Sequence, residues 1–220
     1  MRSVLNWLRT SGLAAAVLVG VISKTAFAGV VLPPPSLNPG DKYYLAFVTD
    51  GGRLGDSGAI SDYDTFVTNQ ASLNTSLNGF TWNALVSVAA AGTLGAKDRL
   101  NLGAFPIFRL DGVRLASSWA DLWDGTIENT FSVNQFGNSV TRDVFTGTLG
   151  NGAKSGSALG DETVTFGNTS STSSAWVANG SQDNLYSLSI YAISSLQTLP
   201  GGGGGGGAVP EPTSMAIFGL

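Results

Sequence analysis

The chain contains no histidine and no cysteine, so an imidazole base, a thiolate nucleophile and the ordinary zinc ligands are all excluded. Lysine-assisted serine chemistry would have to use Lys42, Lys97 or Lys154, and none of them stands in a Ser-x-x-Lys spacing. The residue types still permit two-carboxylate glycoside hydrolysis, which needs only a pair of acids facing each other across a cleft. The candidate pairs are Asp121 with Asp124 and Asp161 with Glu162. Each has a simpler reading. Asp121 and Asp124 flank a turn that ends in Gly125, where aspartate caps backbone donors, and Asp161-Glu162 lie in a Gly- and Ser-rich stretch as solvated charge. A chain without catalytic residues is the expectation.

Oxygen ligands are plentiful, which leaves a structural calcium open as a cofactor. Asp62-Tyr63-Asp64 and Asp121-Leu122-Trp123-Asp124 could each supply carboxylates, but neither fits an Asp-x-Asp-x-Asp-Gly loop. On a helix, Asp62 and Asp64 would point to different faces. No metal ligand is assigned. Of the five tryptophans, Trp82, Trp119, Trp123 and Trp176 sit in apolar segments, where burial is the favoured role. Should Trp119 and Trp123 reach solvent, their i, i+4 spacing makes one aromatic face able to stack on a sugar. Asn74-Thr75-Ser76, Asn168-Thr169-Ser170 and Asn179-Gly180-Ser181 match glycosylation acceptors and are read as loop polarity.

The elements that would position these residues are short. Residues 43–48 read as a buried opening strand, stopped by Asp50-Gly51-Gly52. Ile60, Tyr63, Phe66 and Val67 fall at helical spacing, with Ser57 as the N-cap, and predict one long helix over residues 58–73. Residues 80–88 and 105–110 return to strand, the second turning through Asp111-Gly112 into residues 113–116 as a hairpin. A helical turn is expected around residues 119–123, then strands at 143–148, 174–177 and 185–193. The opening and closing strands could pair and bring both ends of the domain to one side.

The two termini read as addresses. Arg2 and Arg9, an apolar run over residues 12–22, and Ala26 and Ala28 at the cleavage positions match a secretory signal peptide over residues 1–28. Seven consecutive glycines, Gly201 to Gly207, form a flexible tether within residues 200–208. Val209-Pro210-Glu211-Pro212 and an apolar run follow in residues 209–220; the prolines hold Glu211 in extended backbone. This tail resembles the PEP-CTERM sorting signal of exported bacterial proteins. The resemblance implies an export machinery and an exosortase-type enzyme as partners, removal of the tail, and a place at the cell surface or in an extracellular polysaccharide matrix. Only Met215 to Leu220 stand where such a tail has a membrane span of about 20 residues. The signal is therefore read as truncated, with contact to a membrane only through an anchor missing from this chain.

Between the addresses lie a proline-rich linker, residues 29–40, expected to be extended and solvated, and a single β-rich domain, residues 41–199. Loss of the signal would remove Arg2, Arg9 and Lys24 and no acid. The mature chain would thus be more acidic than the formal −4 of the whole sequence, which repels nucleic acid and anionic lipid. The order of elements resembles the C-type-lectin-like or endostatin-like fold. It implies an α+β, β-rich mixed fold with one long helix and several short antiparallel strands. An all-β antiparallel sandwich is the alternative. The Glu-Pro-Asn, Gln-Pro-Asp and Trp-Asn-Asp triplets by which sugar-binding members of that family hold calcium are absent from the sequence. Three functional readings follow: an exported structural or adhesive protein without catalysis, a lectin-like module for glycans, and a two-carboxylate glycosidase.

Overall fold

The computed structural model describes residue 30 and residues 34–200. The segment read as a signal peptide, with Ala26 and Ala28, the glycine run, and Val209, Pro210, Glu211 and Pro212 lie outside the described residues. Among the described residues ten strands and two α-helices follow one another as β1 (Lys42–Val48), β2 (Arg53–Leu54), α1 (Ile60–Ser72), β3 (Trp82–Ala84), α2 (Ala96–Leu100), β4 (Ile107–Arg109), β5 (Arg114–Ala116), β6 (Asp143–Phe145), β7 (Thr163–Asn168), β8 (Gly180–Asp183), β9 (Ser187–Ser194) and β10 (Gln197–Thr198). They form one mixed sheet in the order β5-β4-β1-β9-β6-β7-β8, with β2 and β3 also on β9 and β10 on β1. The β1–β4 and β6–β9 pairs are parallel, unlike an all-antiparallel sandwich. The coarse class is therefore a β-rich mixed fold with few helices.

The continuous apolar run of β1 follows from its place at the centre of the sheet. Tyr43, Leu45 and Phe47 enter one core with Tyr63, Val67 and Ala71 of α1. Tyr44, Ala46 and Val48 enter a second, on the opposite face. A strand covered on both faces has no polar side to present. Strand β9 divides likewise, Ile190 and Ala192 to the first core and Tyr191 and Ile193 to the second. As expected, the two strands pair antiparallel, Ala46 opposite Ile193 and Val48 opposite Tyr191.

The second core lies beneath loops and is filled by aromatic rings. Trp119 meets Trp123, Trp123 meets Trp176, and Trp176 meets Phe131 at centroid distances of 5.4, 5.4 and 5.8 Å. Phe131 then stacks on Tyr191 at 4.2 Å, and the Tyr191 hydroxyl donates to the Trp176 carbonyl oxygen at 3.0 Å. Gly167 of β7 packs so closely on this region that a Cβ there would overlap the Trp176 carbonyl oxygen.

Hydroxyl groups tie the loops that cysteines cannot. Ser87 and Thr148 share a hydrogen bond of 2.8 Å, Thr146 Oγ1 donates to the Val177 carbonyl at 2.6 Å, and Ser155 and Thr165 share one of 2.7 Å. All five side chains are buried, where a satisfied polar network specifies one arrangement of the chain.

Several local expectations need correction. The helix begins at Ile60 with Ala59 as its N-cap residue, and no side chain caps it directly. Ser57 stands two residues earlier, its Oγ accepting the Ala59 amide at 3.1 Å. Residues 174–177 form a 3-10 turn, Ser174–Trp176, because Ser173 Oγ accepts the Ala175 amide and starts a helical turn. Strand structure in residues 80–88 is confined to β3. In the described part of residues 29–40, Pro35, Ser36, Asn38, Pro39 and Gly40 are exposed, but the segment turns and packs on the domain rather than running free. Pro34 is buried, the Leu37 amide closes a turn onto the Pro34 carbonyl at 3.3 Å, and Val30 and Leu37 pack on the first core.

The Asp111-Gly112 hairpin forms as expected. Gly112 has φ +82°, and its amide donates to the Arg109 carbonyl at 3.0 Å, a conformation that glycine adopts without strain.

Candidate functional site

The aromatic face considered in the sequence is not a surface. Trp119 and Trp123 are 4% and 3% exposed and pack edge to face with ring planes at 86°. The i, i+4 spacing brings them together, but it joins them inside the core, where burying their area outweighs presenting it. The indole N–H of Trp119 is spent on the Lys97 carbonyl at 3.1 Å. Neither ring is available to stack on a ligand.

The four candidate acids do not gather. Asp121 Oδ2 accepts from the Ser117 amide at 2.6 Å and its hydroxyl at 2.9 Å. Asp124 Oδ1 accepts the Thr126 amide at 3.1 Å, and Asp161 Oδ2 the Ala158 amide at 2.9 Å. Glu162 is exposed. These are turn-closing roles, each local in sequence.

Asp62 and Asp64 face apart on α1. Asp62 Oδ2 accepts from Ser57 Oγ at 2.7 Å and pairs with Arg53 at 3.4 Å. Asp64 Oδ1 accepts the Ala84 amide at 2.8 Å, and its other oxygen lies 3.6 Å from Arg99. Burial pushes the Arg99 guanidinium below its ordinary pKa, with Asp64 opposing that shift. Among the described residues no group of three or more Asp or Glu is placed to hold a metal ion. The lysines are dispersed as well. Lys42 Nζ lies 5.6 Å from the Phe105 ring centre, and Lys154 Nζ donates to Thr93 Oγ1 at 3.3 Å.

What the fold does assemble is a polar knot at the end of β1. Past Val48 the chain turns at Thr49, whose hydroxyl donates to the Gly51 carbonyl at 2.7 Å and accepts the Ile190 amide at 2.9 Å. The Asp50 amide donates to Gln135 Oε1 and the Gly51 amide to Gln70 Oε1, both at 2.8 Å. Gln135 Nε2 joins the two by donating to Gln70 Oε1 at 3.2 Å. From the other side Arg142 Nη1 donates to the Asp50 carbonyl at 2.7 Å and Nη2 to Asp50 Oδ1 at 3.2 Å. Gln135 is fully buried and Asn134 3% exposed, so their bonds fix the loop rather than decorate it.

A tight loop grows out of this knot. Asn134 Oδ1 accepts the amides of Phe136 and Asn138, each at 3.0 Å, and the Gly137 amide returns to the Asn134 carbonyl at 3.0 Å. Phe136 stands on that loop, next to the chain leaving α1, where Asn74 Nδ2 donates to the Gln135 carbonyl at 2.8 Å.

Two open clefts flank the knot. One, of about 540 Å³, is lined by Leu73, Asn74, Thr75, Phe136 and Asn138. The other, of about 310 Å³, is lined by Asp50, Gly52, Arg142, Asp143 and Ser187 to Ser189. The first is apolar with an uncharged polar edge. In the second Arg142 is already neutralised by Asp50, and Asp143 Oδ1 accepts from Asn168 Nδ2 at 2.8 Å.

Sequence reasoning missed this region because it is built from five separate segments. A local signal existed only in Asn134-Gln135-Phe136-Gly137-Asn138, where asparagines around a glycine mark a turn. Nothing local ties that turn to Asp50 or Gln70.

In comparisons with known proteins, no protein-family model and no curated protein gives a significant match to the chain.

Proposed function

We propose that the chain is an exported, non-catalytic structural or adhesive protein, displayed at a cell surface or in an extracellular matrix by a domain of C-type-lectin-like arrangement on a glycine tether. Its tail is processed at Pro210-Glu211-Pro212 by an exosortase-type enzyme after the leader is removed behind Ala28. The observation that carries this reading is the meeting of the two ends of the domain. The Gly40 amide donates to the Leu199 carbonyl and the Leu199 amide to the Asp41 carbonyl, each at 2.8 Å, with β10 on the start of β1. A domain that enters and leaves at one point can be held by one tether with its opposite end outward.

That opposite end is where the polar knot and its clefts lie. The seven residues of β1, at about 3.3 Å each, set them roughly 20 Å from the Gly40–Leu199 junction. The absence of catalysis in this reading is supported by the local bonds of Asp121, Asp124 and Asp161. The lectin-like arrangement is supported by the paired opening and closing strands and by the single long helix packed across them.

The test is fractionation of a bacterial host that expresses the chain, followed by N-terminal sequencing of the mature product. The reading expects a start at Gly29 in the exported fraction. It expects Glu211→Ala to leave the tail on if the host supplies the processing enzyme. Intact chain with Met1, soluble in the cytosol, overturns it.

A further inference from the structure

We infer that the cleft between the end of α1 and the Phe136 loop is a calcium-independent binding site for a neutral sugar unit of a polysaccharide. The inference rests on the display reading only for which glycans the protein meets. The site itself is argued from its lining.

Two apolar groups make its walls. Leu73 is 60% exposed, and Phe136, half-buried, shares the cleft with it. An aromatic ring and an isobutyl group side by side offer a surface for the C–H face of a pyranose, which is apolar although the ring edge carries hydroxyls. The edge of the cleft is complementary to those hydroxyls. Asn74 uses one N–H on the Gln135 carbonyl and its oxygen on the Ser76 amide, which leaves its second N–H free. Among the described residues, the Asn138 side chain and the Thr75 hydroxyl engage in no hydrogen bond. Amides and hydroxyls can both donate to and accept from a sugar hydroxyl.

Among the described residues no charged side chain lines the cleft. A uronate or phosphate would therefore lose hydration there without gaining a cationic partner to offset it, which favours a neutral sugar. The volume of about 540 Å³ lies in the range of small-molecule sites. The backbone of both walls is held before a ligand arrives, because the Phe136 loop hangs on the Asn134 bonds and is tied to Asn74 and Gln70 through Gln135. A preformed site binds without first spending free energy on ordering itself. No carboxylate group stands in the lining to coordinate a cation, so the binding asks for none.

The test uses the purified full chain, with calorimetry and ligand-observed NMR against neutral trisaccharides of glucose, mannose and galactose, and a uronic acid trimer for comparison. Chelator is present throughout. At least one neutral trimer is expected to bind at millimolar affinity or tighter and the uronate trimer not to bind. Leu73→Ser and Phe136→Ala are each expected to weaken binding by about fivefold or more. Leu73 is exposed, so its variant reads the site even if Phe136→Ala perturbs the loop.

The inference is overturned if no neutral trimer binds by about 10 mM, if the uronate binds as well as the neutral sugars, or if Leu73→Ser binds unchanged. It is also overturned if the chain instead self-associates through this face, seen as a concentration-dependent mass that Leu73→Ser abolishes while no sugar binds. Retention of the chain in the cytosol would sink the display reading, whereas the binding measurement reads the cleft alone.

Discussion

The Asp50 amide donates to the side-chain oxygen of Gln135 at 2.8 Å, joining the end of β1 to a loop 85 residues away in sequence. Gln135 is fully buried, and the same side chain also donates to Gln70. Replacing it with leucine keeps most of the volume and removes both bonds. The Asp50 amide and the Gln70 side chain are then left without these partners, a loss of about 2–3 kcal/mol. Urea denaturation of Gln135→Leu against the parent chain measures this. A change below about 0.5 kcal/mol would show that the knot does not hold the loop.

Trp176 lies at the middle of the aromatic column, touching Trp123, Phe131 and Tyr191. Trp176→Ala is expected to cost about 3–5 kcal/mol, from lost burial and the cavity left behind. Trp119→Ala, at the end of the column, should cost less because the site can open toward solvent. The two midpoints in a common denaturant series check the order. Equal losses would mean that the column does not act as a core with a centre and an edge.

Tyr63 is buried against Ser57 and Leu54, and burial pushes its phenol pKa up from 10.0 to about 12. The folded state therefore keeps the phenolic proton at pH values where the unfolded chain releases it. Stability from this group is full below pH 10 and drains away as pH rises toward 12. Tyr191, fully buried, is shifted in the same direction. Tyr63→Phe removes the titrating group, at about 1 kcal/mol for the lost hydrogen bonds near neutral pH. Its stability should fall less steeply with alkaline pH than that of the parent. Parallel pH profiles of the two proteins would contradict the assignment.

Gly167→Ala drives a methyl group into the Trp176 carbonyl oxygen, with the Trp176 carbonyl carbon and Val177 Cα also too close, all of them backbone atoms. We expect loss of more than about 3 kcal/mol, or failure to fold. Gly156 has open space around its Cα hydrogens, so Gly156→Ala should be neutral or mildly stabilising, by up to about 1 kcal/mol. Thermal melts of the pair decide it; similar melting temperatures would refute the close packing of β7 on the 3-10 turn.

Why some of this architecture can be read from residue order is clear from particular elements. Strand β1 is legible as a long apolar run, and β9 through Ile190-Tyr191-Ala192-Ile193, because both are covered on both faces. Helix α1 carries the 3.6-residue spacing of Tyr63 and Val67, and the β4–β5 hairpin announces itself in Asp111-Gly112. Strand β8, Gly180-Ser181-Gln182-Asp183, carries no such signal. It is extended only because β7 pairs with it, Val164 opposite Gln182, which is a tertiary effect. Residues 174–177 mislead in the opposite sense, since Ala175-Trp176-Val177 is apolar enough for a strand while Ser173 commits the backbone to a turn. The clefts were least legible. The walls of the first come from the chain leaving α1 and the Phe136 loop, those of the second from the ends of β1, β6 and β9, and the bonds that unite them run through amides whose partners no local pattern names.

The stitched entry and exit of the domain also set how it would bear mechanical load. A pull between the two ends peels β10 from β1 one pair at a time, like a zip, and loads the first core only where Val30, Leu37 and Leu199 pack on it. A pull between the outer clefts and this junction runs along β1 and β9 instead. It must shear their ladder of hydrogen bonds together, so the molecule should yield readily at its base and resist along its length.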